Sequence, residues 1–597
     1  MSKYLAEAIQ LLHSHRFLEA AEQCQKALSK KQNVLKARLL LATCYYSQGV
    51  VHLFESKLIQ DAADYFQLAI EENPRHTDAI QNLAGCLVEL GRQEEAIPLY
   101  RRAIDLEPKR ISILRDLAIC YQRLDRLDEA SATLQALIQA DPENGGAVLF
   151  DALLLKSIIP HPEYPEQIRQ RIQEKLQAFD ASGLSITDPM SLPANYFFLS
   201  YHGLCNKQIH EKIAESYLRA TPSLSWRAPH LDAPRNAGRI RIGIASSFLY
   251  NHSIGHTTRG LVEMLDRSRF EVIVIHLGNP PSDEIAKAIN AAADRVVHVP
   301  YGDLQNAREC IAALSLDILF WQDIGMEPFS YFLAFARLSP VQLTSFGHPD
   351  TTGIPNVDYF LSSSLYETAA EQHDYAEKLI LVPNAGTLSY YHRPVTPPAA
   401  SRQDLGLPDE AHVYLCPQTL FKLHPDMDEL FLEIVRLDAK AIIVLIAPSQ
   451  THMASQIEQR LQKHAADLAG RVRFIKRLSY KKYLQLLQSA DVILDTLHFN
   501  GQNTSLEGLA VGTPVVTMPG RLQRARHTYG MYRAMNFMEL IAKDKTDFAA
   551  KAVAVVCDAD FRTHCRASIA QLSGQLYQNQ AFVSACEDAF TDMFNRI

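Results

Sequence analysis

The stretch DTLHFNGQNTSLEGLAVGTPVVTMPG, residues 495–520, decides the fold and points to the chemistry. The apolar run VILD (492–495) predicts a strand that enters a polar turn on Asn500 and Gly501. A helix then opens on Asn503, Thr504 and Ser505, and a second strand, TPVVTM, runs up to Pro519 and Gly520. The first backbone N–H groups of such a helix lack intrahelical acceptors, and the helix dipole adds to them, so its start is a seat for an anion. Glu507 follows one turn in, within reach of a hydroxyl-rich group beside that anion. A phosphate seat with a carboxylate alongside suits a nucleotide sugar. Taken alone, the same residues also describe an ordinary capped helix in a βαβ unit.

The pattern of strands around this stretch extends the reading. RIRIGIASS, FEVIVIHLG, DRVVHVP, LDILFWQD and VQLTSFGHP alternate with helical stretches from Arg239 onward. A second set begins after DLGLP (404–408): HVYLCPQ, AIIVLIAP, RVRFIKR, VILDT and TPVVTM. Two such blocks predict two doubly wound α/β lobes, at 239–400 and 401–597, with ligands at the carboxyl ends of the strands. The second lobe is expected to carry the nucleotide-sugar site and the C-terminal helices.

The first 142 residues have a different texture. Pro74, Pro108 and Pro142 are spaced at a constant interval, which Ala62, Ala96 and Ala130 share. Leu83 pairs with Leu117 and Ala84 with Ala118 at the same step. This is the tetratricopeptide period, with small residues where paired helices touch and a proline after the second helix. The second unit holds extra residues near Val50–Ser56. Stacked repeats imply a concave surface for a protein or peptide. Residues 143–238 read as a helical connector ending in the Pro-rich TPSLSWRAPHLDAPRNAG.

Composition sets limits. A chain of 597 residues exceeds what one core supports, and 47% apolar with 21% charged residues is that of a globular protein. A net charge of −8 argues against a general nucleic-acid surface. No run reaches the roughly 18 apolar residues of a membrane span, and the start MSKYLAEAIQ has no apolar leader core. The ten cysteines are scattered, without ligand spacing, so they are expected to be reduced thiols in a cytoplasmic protein.

Three more loops sit at strand ends. RIGIASSFLYNHSIGHTTRGL (241–261) puts His252 and His256 where a loop meets a helix, so that a neutral imidazole could take a proton from a hydroxyl. SFGHPDTTGIPNVDYFLSS (345–363) offers Gly347 and Gly353 for tight backbone and Thr351 and Thr352 as hydroxyls. CPQTLFKLHPDMDELFLEIV (416–435) places Lys422 at a strand end, where an ammonium group suits a departing pyrophosphate. Tyr480 and Tyr483 lie at the edge of a further helix, where an aromatic ring can stack on a base.

With these motifs the chain resembles the O-linked N-acetylglucosamine transferase / SPINDLY family over essentially its whole length, most specifically in 491–520. The resemblance implies a GT-B fold and a metal-independent, inverting glycosyltransferase that acts on protein side chains. It places the family's phosphate-binding lysine on Lys422 and the helix-start triplet on Gln502, Asn503 and Thr504. Its ribose-binding carboxylate falls on Glu507 and the ring beside uracil on Tyr483, with Tyr480 in place of a lysine. The family glutamine falls on Thr419, with Gln418 adjacent. The family's Asn-His-Pro motif falls on Asn251-His252-Ser253, and its glycine-rich loop on Gly347–Gly353. His252 and Lys422 are the expected catalytic residues; Gly347, Pro349, Thr351, Gln418, Leu478, Tyr483, Gln502, Asn503, Thr504 and Glu507 join Lys422 as the nucleotide-sugar-binding set. The implied partners are a UDP-sugar, most simply UDP-N-acetylglucosamine, and a protein acceptor on the repeats, with no cofactor or metal. O-fucose from GDP-fucose, glucose transfer to asparagine and an inactive tetratricopeptide scaffold are the alternatives.

Overall fold

The computed structural model describes residues 2–596 apart from 57, 194–195, 234–237, 384, 449–450, 465–467 and 469. The last part of the Pro-rich segment, 234–237, therefore lies outside the described residues. The chain divides into two compact units, Met1–Lys156 and Ser157–Ile597.

The first unit is a stack of antiparallel helix pairs. Lys3–His13 pairs with Phe17–Ser29, Val34–Val51 with Ile59–Glu72, Thr77–Glu89 with Gln93–Leu106, and Ile111–Arg123 with Leu127–Ala140. Ala20, Ala62, Ala96 and Ala130 are fully buried where the helices touch, which is why the repeat keeps a small residue there. The extra residues of the second repeat lengthen its first helix to Val51 and add a π-helical turn, His52–Ser56. Gly49 lets that longer helix close on its partner, because a Cβ would lie 2.7 Å from the Phe66 ring.

The second unit holds two all-parallel sheets. The first comprises β1 (Ile240–Ser246), β2 (Phe270–Leu277), β3 (Arg295–Val299), β4 (Ile318–Trp321), β5 (Val341–Thr344), β6 (Tyr359–Ser363) and β7 (Lys378–Val382), in the order β3-β2-β1-β4-β5-β6-β7. The second comprises β8 (His412–Cys416), β9 (Ala441–Ala447), β10 (Val472–Lys476), β11 (Val492–Leu494) and β12 (Val515–Val516), in the order β10-β9-β8-β11-β12. Helices cover both faces, so the central strands are largely apolar and largely buried. In each sheet the winding direction reverses beside the first strand, between β1 and β4 and between β8 and β11. Such reversal points leave a crevice at the strands' carboxyl ends. Every loop singled out above issues from one of them or from the adjacent β5.

Two boundaries differ from the sequence reading. The last helix, Gln580–Asn595, belongs by packing to the first lobe rather than the second. Its Phe582, Val583, Cys586, Phe590 and Met593 join the core under β1, β2 and β4, and Asp266 N donates to Glu587 Oε1 at 2.7 Å. An apolar face of this kind must be buried somewhere, and residue order does not say against which lobe. The described residues of 157–238 hold the helices expected of a connector, but they pack as part of the second unit. They include the helices Tyr164–Ser182 and Lys207–Ala220 and a 3₁₀ turn, Tyr196–His202. Ala228 N donates to Arg337 O at 2.9 Å and Arg308 to Ser223 O at 2.9 Å, which straps the segment to the first lobe. Arg460 donates to Ile159 O at 2.7 Å, which ties its start to the second.

Candidate active site

The second lobe supplies one wall of the site. The turn Leu420–Lys422 after β8 faces the turn after β11. Asn500 is pinned at both ends, its N donating to Arg524 O at 2.7 Å and its side-chain amide to Thr496 O at 2.8 Å. Gly501 N donates to the buried carboxylate Asp495 at 2.8 Å. No larger residue fits at 501, since a Cβ there would lie 2.2 Å from Thr504 Oγ1 and 2.3 Å from Gln418 Nε2. That close approach lets Gln418 Nε2 donate to Thr504 Oγ1 at 2.5 Å. Lys422 Nζ donates to Gln418 Oε1 at 3.0 Å and to Asn500 O at 3.3 Å, and lies 4.4 Å from the centre of the Phe499 ring. Burial pulls the Lys422 ammonium down to about 8, against the pull of Asp495. The helix Asn503–Ala510 begins beside it, and its N-cap residue, Gln502, makes no capping bond. Free helix donors next to a desolvated ammonium form an anion seat.

The first lobe faces that seat. His252 caps the helix Ser253–Met264, its Nδ1 accepting from Ile254 N at 3.3 Å while its ring stacks on Phe248 at 4.6 Å. Burial pushes this imidazole down to about 4, so it is neutral at pH 7. Because Nδ1 accepts, the proton sits on Nε2, and the ring nitrogen left over is a donor. Gly347 runs so close to β4 that a Cβ would lie 1.7 Å from Gln322 O. Asn503 bridges the lobes, its amide donating to Ser253 O at 3.2 Å. His252, Gly347 and Pro349 from one lobe and Gln418, Lys422, Gln502, Asn503 and Thr504 from the other line a single cavity of about 360 Å³. That volume lies in the range of small-molecule sites.

The remaining expected site residues do not line this cavity. Thr351 is buried, its hydroxyl bonded to Glu377 at 2.7 Å and accepting from Ala376 N at 2.9 Å, so it braces the loop. Leu478 packs on the core of the second lobe. Glu507 is buried beside the phenols of Tyr480, Tyr483 and Tyr391, and desolvation raises its carboxyl to about 7. Tyr483 stacks on Tyr480 at 6.4 Å, and Tyr480 on His256 at 6.2 Å. The edge expected to hold base and ribose is thus a closed cluster of rings around one carboxyl.

The sequence reading gave no role to several residues that do line the cavity. His527 is buried at the start of the helix His527–Met535, and burial together with the Lys422 charge pushes it down to about 3. His348 was visible only as the residue after Gly347. Phe197 and Tyr201 come from the supposed connector and carry no periodic signal.

Among the described residues two groups have the composition of metal ligands, and both are internally hydrogen bonded. Asp426 Oδ2 lies 2.7 Å from His498 Nε2 and 3.3 Å from His424 Nδ1. Lys545 donates to Asp426 Oδ1 at 2.8 Å, and Asp426 N donates to His424 Nδ1 at 3.2 Å, so a cation there competes with an ammonium and for a lone pair already used. In the group of His412, Asp438 and Cys557, His412 and Tyr414 share Asp438 Oδ2 at 2.6 and 2.8 Å. Neither group lines the cavity.

The model of glycosyl transferase family 41 matches residues 209–391 and 388–585, and a tetratricopeptide model matches 53–97 and 93–149. The chain belongs to glycosyl transferase family 41. Among relatives of this family-41 chain, the probable UDP-N-acetylglucosamine–peptide N-acetylglucosaminyltransferase SEC of Arabidopsis thaliana is 25% identical over 374 residues, covering 60% of this chain and 37% of that one. The UDP-N-acetylglucosamine–peptide N-acetylglucosaminyltransferase of Caenorhabditis elegans is 22% identical over 532 residues, covering 69% and 45%. The chain thus spans less than half the length of both curated relatives. A mutant of the O-GlcNAc transferase of Thermobaculum terrenum shares the fold, with a TM-score of 0.68 at 20% identity over 93% of this chain and 97% of that one. The family model starts at residue 209, inside the segment read as a connector.

Proposed function

We propose that this chain is an inverting protein O-glycosyltransferase that moves N-acetylglucosamine from UDP-N-acetylglucosamine to Ser or Thr side chains. The observation that carries the reading is the anion seat of Lys422 and the Asn503 helix end, held across one cavity from His252, Gly347 and Pro349. The donor sugar and the peptide acceptor are those for which the two relatives are named. In this reading the diphosphate sits on the helix end and on Lys422, which takes up negative charge as the glycosidic bond breaks. Uracil stacks on Tyr483, and ribose hydroxyls replace the phenols as partners of Glu507. No metal or other cofactor is part of the reading. The helix pairs of the first unit present the protein acceptor. No helix among the described residues is long and apolar enough to cross a membrane, and the reading keeps the cytoplasmic setting expected from the cysteines.

A donor panel tests this. The purified chain is incubated with UDP-N-acetylglucosamine, UDP-glucose or GDP-fucose and a library of Ser/Thr peptides, and sugar transfer is read by mass. Transfer from UDP-N-acetylglucosamine alone is the expected result. Preferential use of GDP-fucose overturns the donor, and failure to use any donor overturns the activity.

A further inference from the structure

The loop after β5 carries a histidine and an aspartate, His348 and Asp350, that the donor machinery does not use. Asp350 is buried, and Oδ1 accepts from Arg524 Nη1 at 3.1 Å, while Arg524 Nη2 donates to Leu204 O at 2.6 Å. Its Oδ2 accepts from Ser200 Oγ at 2.7 Å and from the Asn206 amide. The Arg524 guanidinium is the main charge that holds this carboxyl down, at about 2, against burial, so it is an anion at neutral pH. Ser200 Oγ also lies 3.2 Å from His348 Nε2. A hydroxyl has one proton, and Ser200 gives it to the carboxylate, so at the second contact Ser200 accepts and His348 Nε2 carries the hydrogen. The Nδ1 lone pair is then the unused group of the ring. Among the described residues nothing bonds Nδ1, and His348 lines the cavity between the lobes. His252 is arranged the other way round, with its lone pair spent on Ile254 N and a donor left over.

Resting on the proposed transferase reading, we propose that His348 Nδ1 accepts the proton of the acceptor hydroxyl during sugar transfer, with Ser200 and Asp350 as positioning residues. The acceptor oxygen bonds to the anomeric carbon as the bond from that carbon to the diphosphate oxygen breaks. The electron pair of that bond leaves on the nucleoside diphosphate, whose charge falls on Lys422 and the helix end. The acceptor proton passes to Nδ1, and the imidazolium so formed is held by Ser200 opposite the Asp350 carboxylate. It returns its proton to water after the products leave. The charged or titratable groups around the ring are Asp350, His210 and Arg524, with Lys422, His252 and His527 in the same cavity. Burial pushes His348 down to about 4, so the form that accepts a proton is the resident one through the neutral range, and an arriving diphosphate raises its basicity.

The test compares wild type, His348→Gln, His348→Ala and Ser200→Ala, each checked for folding by thermal melt and for UDP affinity by calorimetry. His348→Gln is expected to lose roughly 10²–10⁴ in kcat with the donor KM within about threefold. His348→Ala is expected to regain activity with added imidazoles, the more so the more basic the imidazole. Ser200→Ala, which keeps every charge in place, is expected to lose about tenfold in kcat, a modest share of the full general-base contribution. Wild-type kcat in folded His348→Gln overturns the inference and leaves the transferase reading standing. Rescue indifferent to basicity overturns it as well. If neither His348 variant folds, Ser200→Ala decides, and an unchanged kcat there overturns it. A wild-type chain that transfers no sugar from any donor overturns both readings together.

Discussion

Lys422→Met should separate activity from stability. The Nζ atom gives one hydrogen to Gln418 Oε1 and one to Asn500 O, which leaves a third for a phosphate oxygen. The Phe499 ring beneath and the loop held by Asn500 fix the ammonium before any ligand arrives. A preorganised donor aimed at developing charge typically contributes 10²–10³ in rate, or roughly 2.7–4 kcal/mol. Burial already disfavours this ammonium, as its descent to about 8 shows, so its removal relieves a cost in the folded state. Methionine keeps the length of the stem and its contact with Phe499. The variant should therefore melt at or above the wild-type temperature while kcat falls by the factor given. The pH profile supplies an independent reading. In the proposed mechanism the protonated form is the active one, and its population falls as pH rises through about 8. Wild-type kcat/KM should decline above that pH, and the variant should lack the decline. Bound diphosphate stabilises the ammonium, so the limb in kcat should lie at higher pH than the limb in kcat/KM. Single-turnover transfer to a peptide, with a thermal melt of each protein, measures both effects. A folded Lys422→Met with turnover within threefold of wild type refutes the reasoning, as does a wild-type kcat/KM flat well above pH 9.

Gly501→Ala drives a methyl group into Thr504 Oγ1 and Gln418 Nε2, at 2.2 and 2.3 Å, so it should cost roughly 1–3 kcal/mol of stability and weaken UDP binding at least tenfold, read by melting and calorimetry. Arg460→Ala removes a buried guanidinium that clasps Asp428 at 2.7 and 2.8 Å and also holds Ile159 O; urea unfolding should report a loss of roughly 3–5 kcal/mol, with UDP affinity of the folded fraction unchanged. Desolvation raises the Glu507 carboxyl to about 7, and in the proposed reading ribose hydroxyls favour its ionised form, so wild-type UDP affinity should rise by up to about tenfold from pH 6 to 8 beyond what UDP itself titrates. Glu507→Gln should abolish that extra rise and bind UDP more weakly by roughly 1.5–3 kcal/mol at pH 8; equal affinity at that pH would place Glu507 outside the nucleotide site.

What could be read from residue order follows from how far each feature depends on its neighbours. The Ala441–Ala447 strand declares itself because a parallel strand buried on both faces is a continuous apolar run, and Ile240–Ser246 departs from that pattern only at its half-buried Arg241 and its closing Ser246. The repeats declare themselves because Ala62, Ala96 and Ala130 must each be small to let two helices touch. The edge strand Lys378–Val382 is half-buried and opens on a lysine, so its pattern is weak. The anion seat is local too, since Gln418 comes just after the β8 strand end and Gly501 and Thr504 lie in the one loop and helix start after β11.

The polar relay has no such signature. Ser200 owes its burial to His348 and Asp350, nearly 150 residues away, and Asp350 owes its charge to Arg524, farther still. Nothing periodic links these positions, so the segment around Ser200 looks like a spacer until the fold closes on it. Glu507 makes the same point from within the deciding stretch. Its place on the helix is fixed by counting from Asn503, but Tyr391 from the first-lobe side and the rings at 480 and 483 decide what surrounds its carboxyl. For a ribose to take their place, those rings must part. On the proposed reading the base edge is therefore where ligand binding reshapes the protein, whereas Lys422 and the helix end are already set.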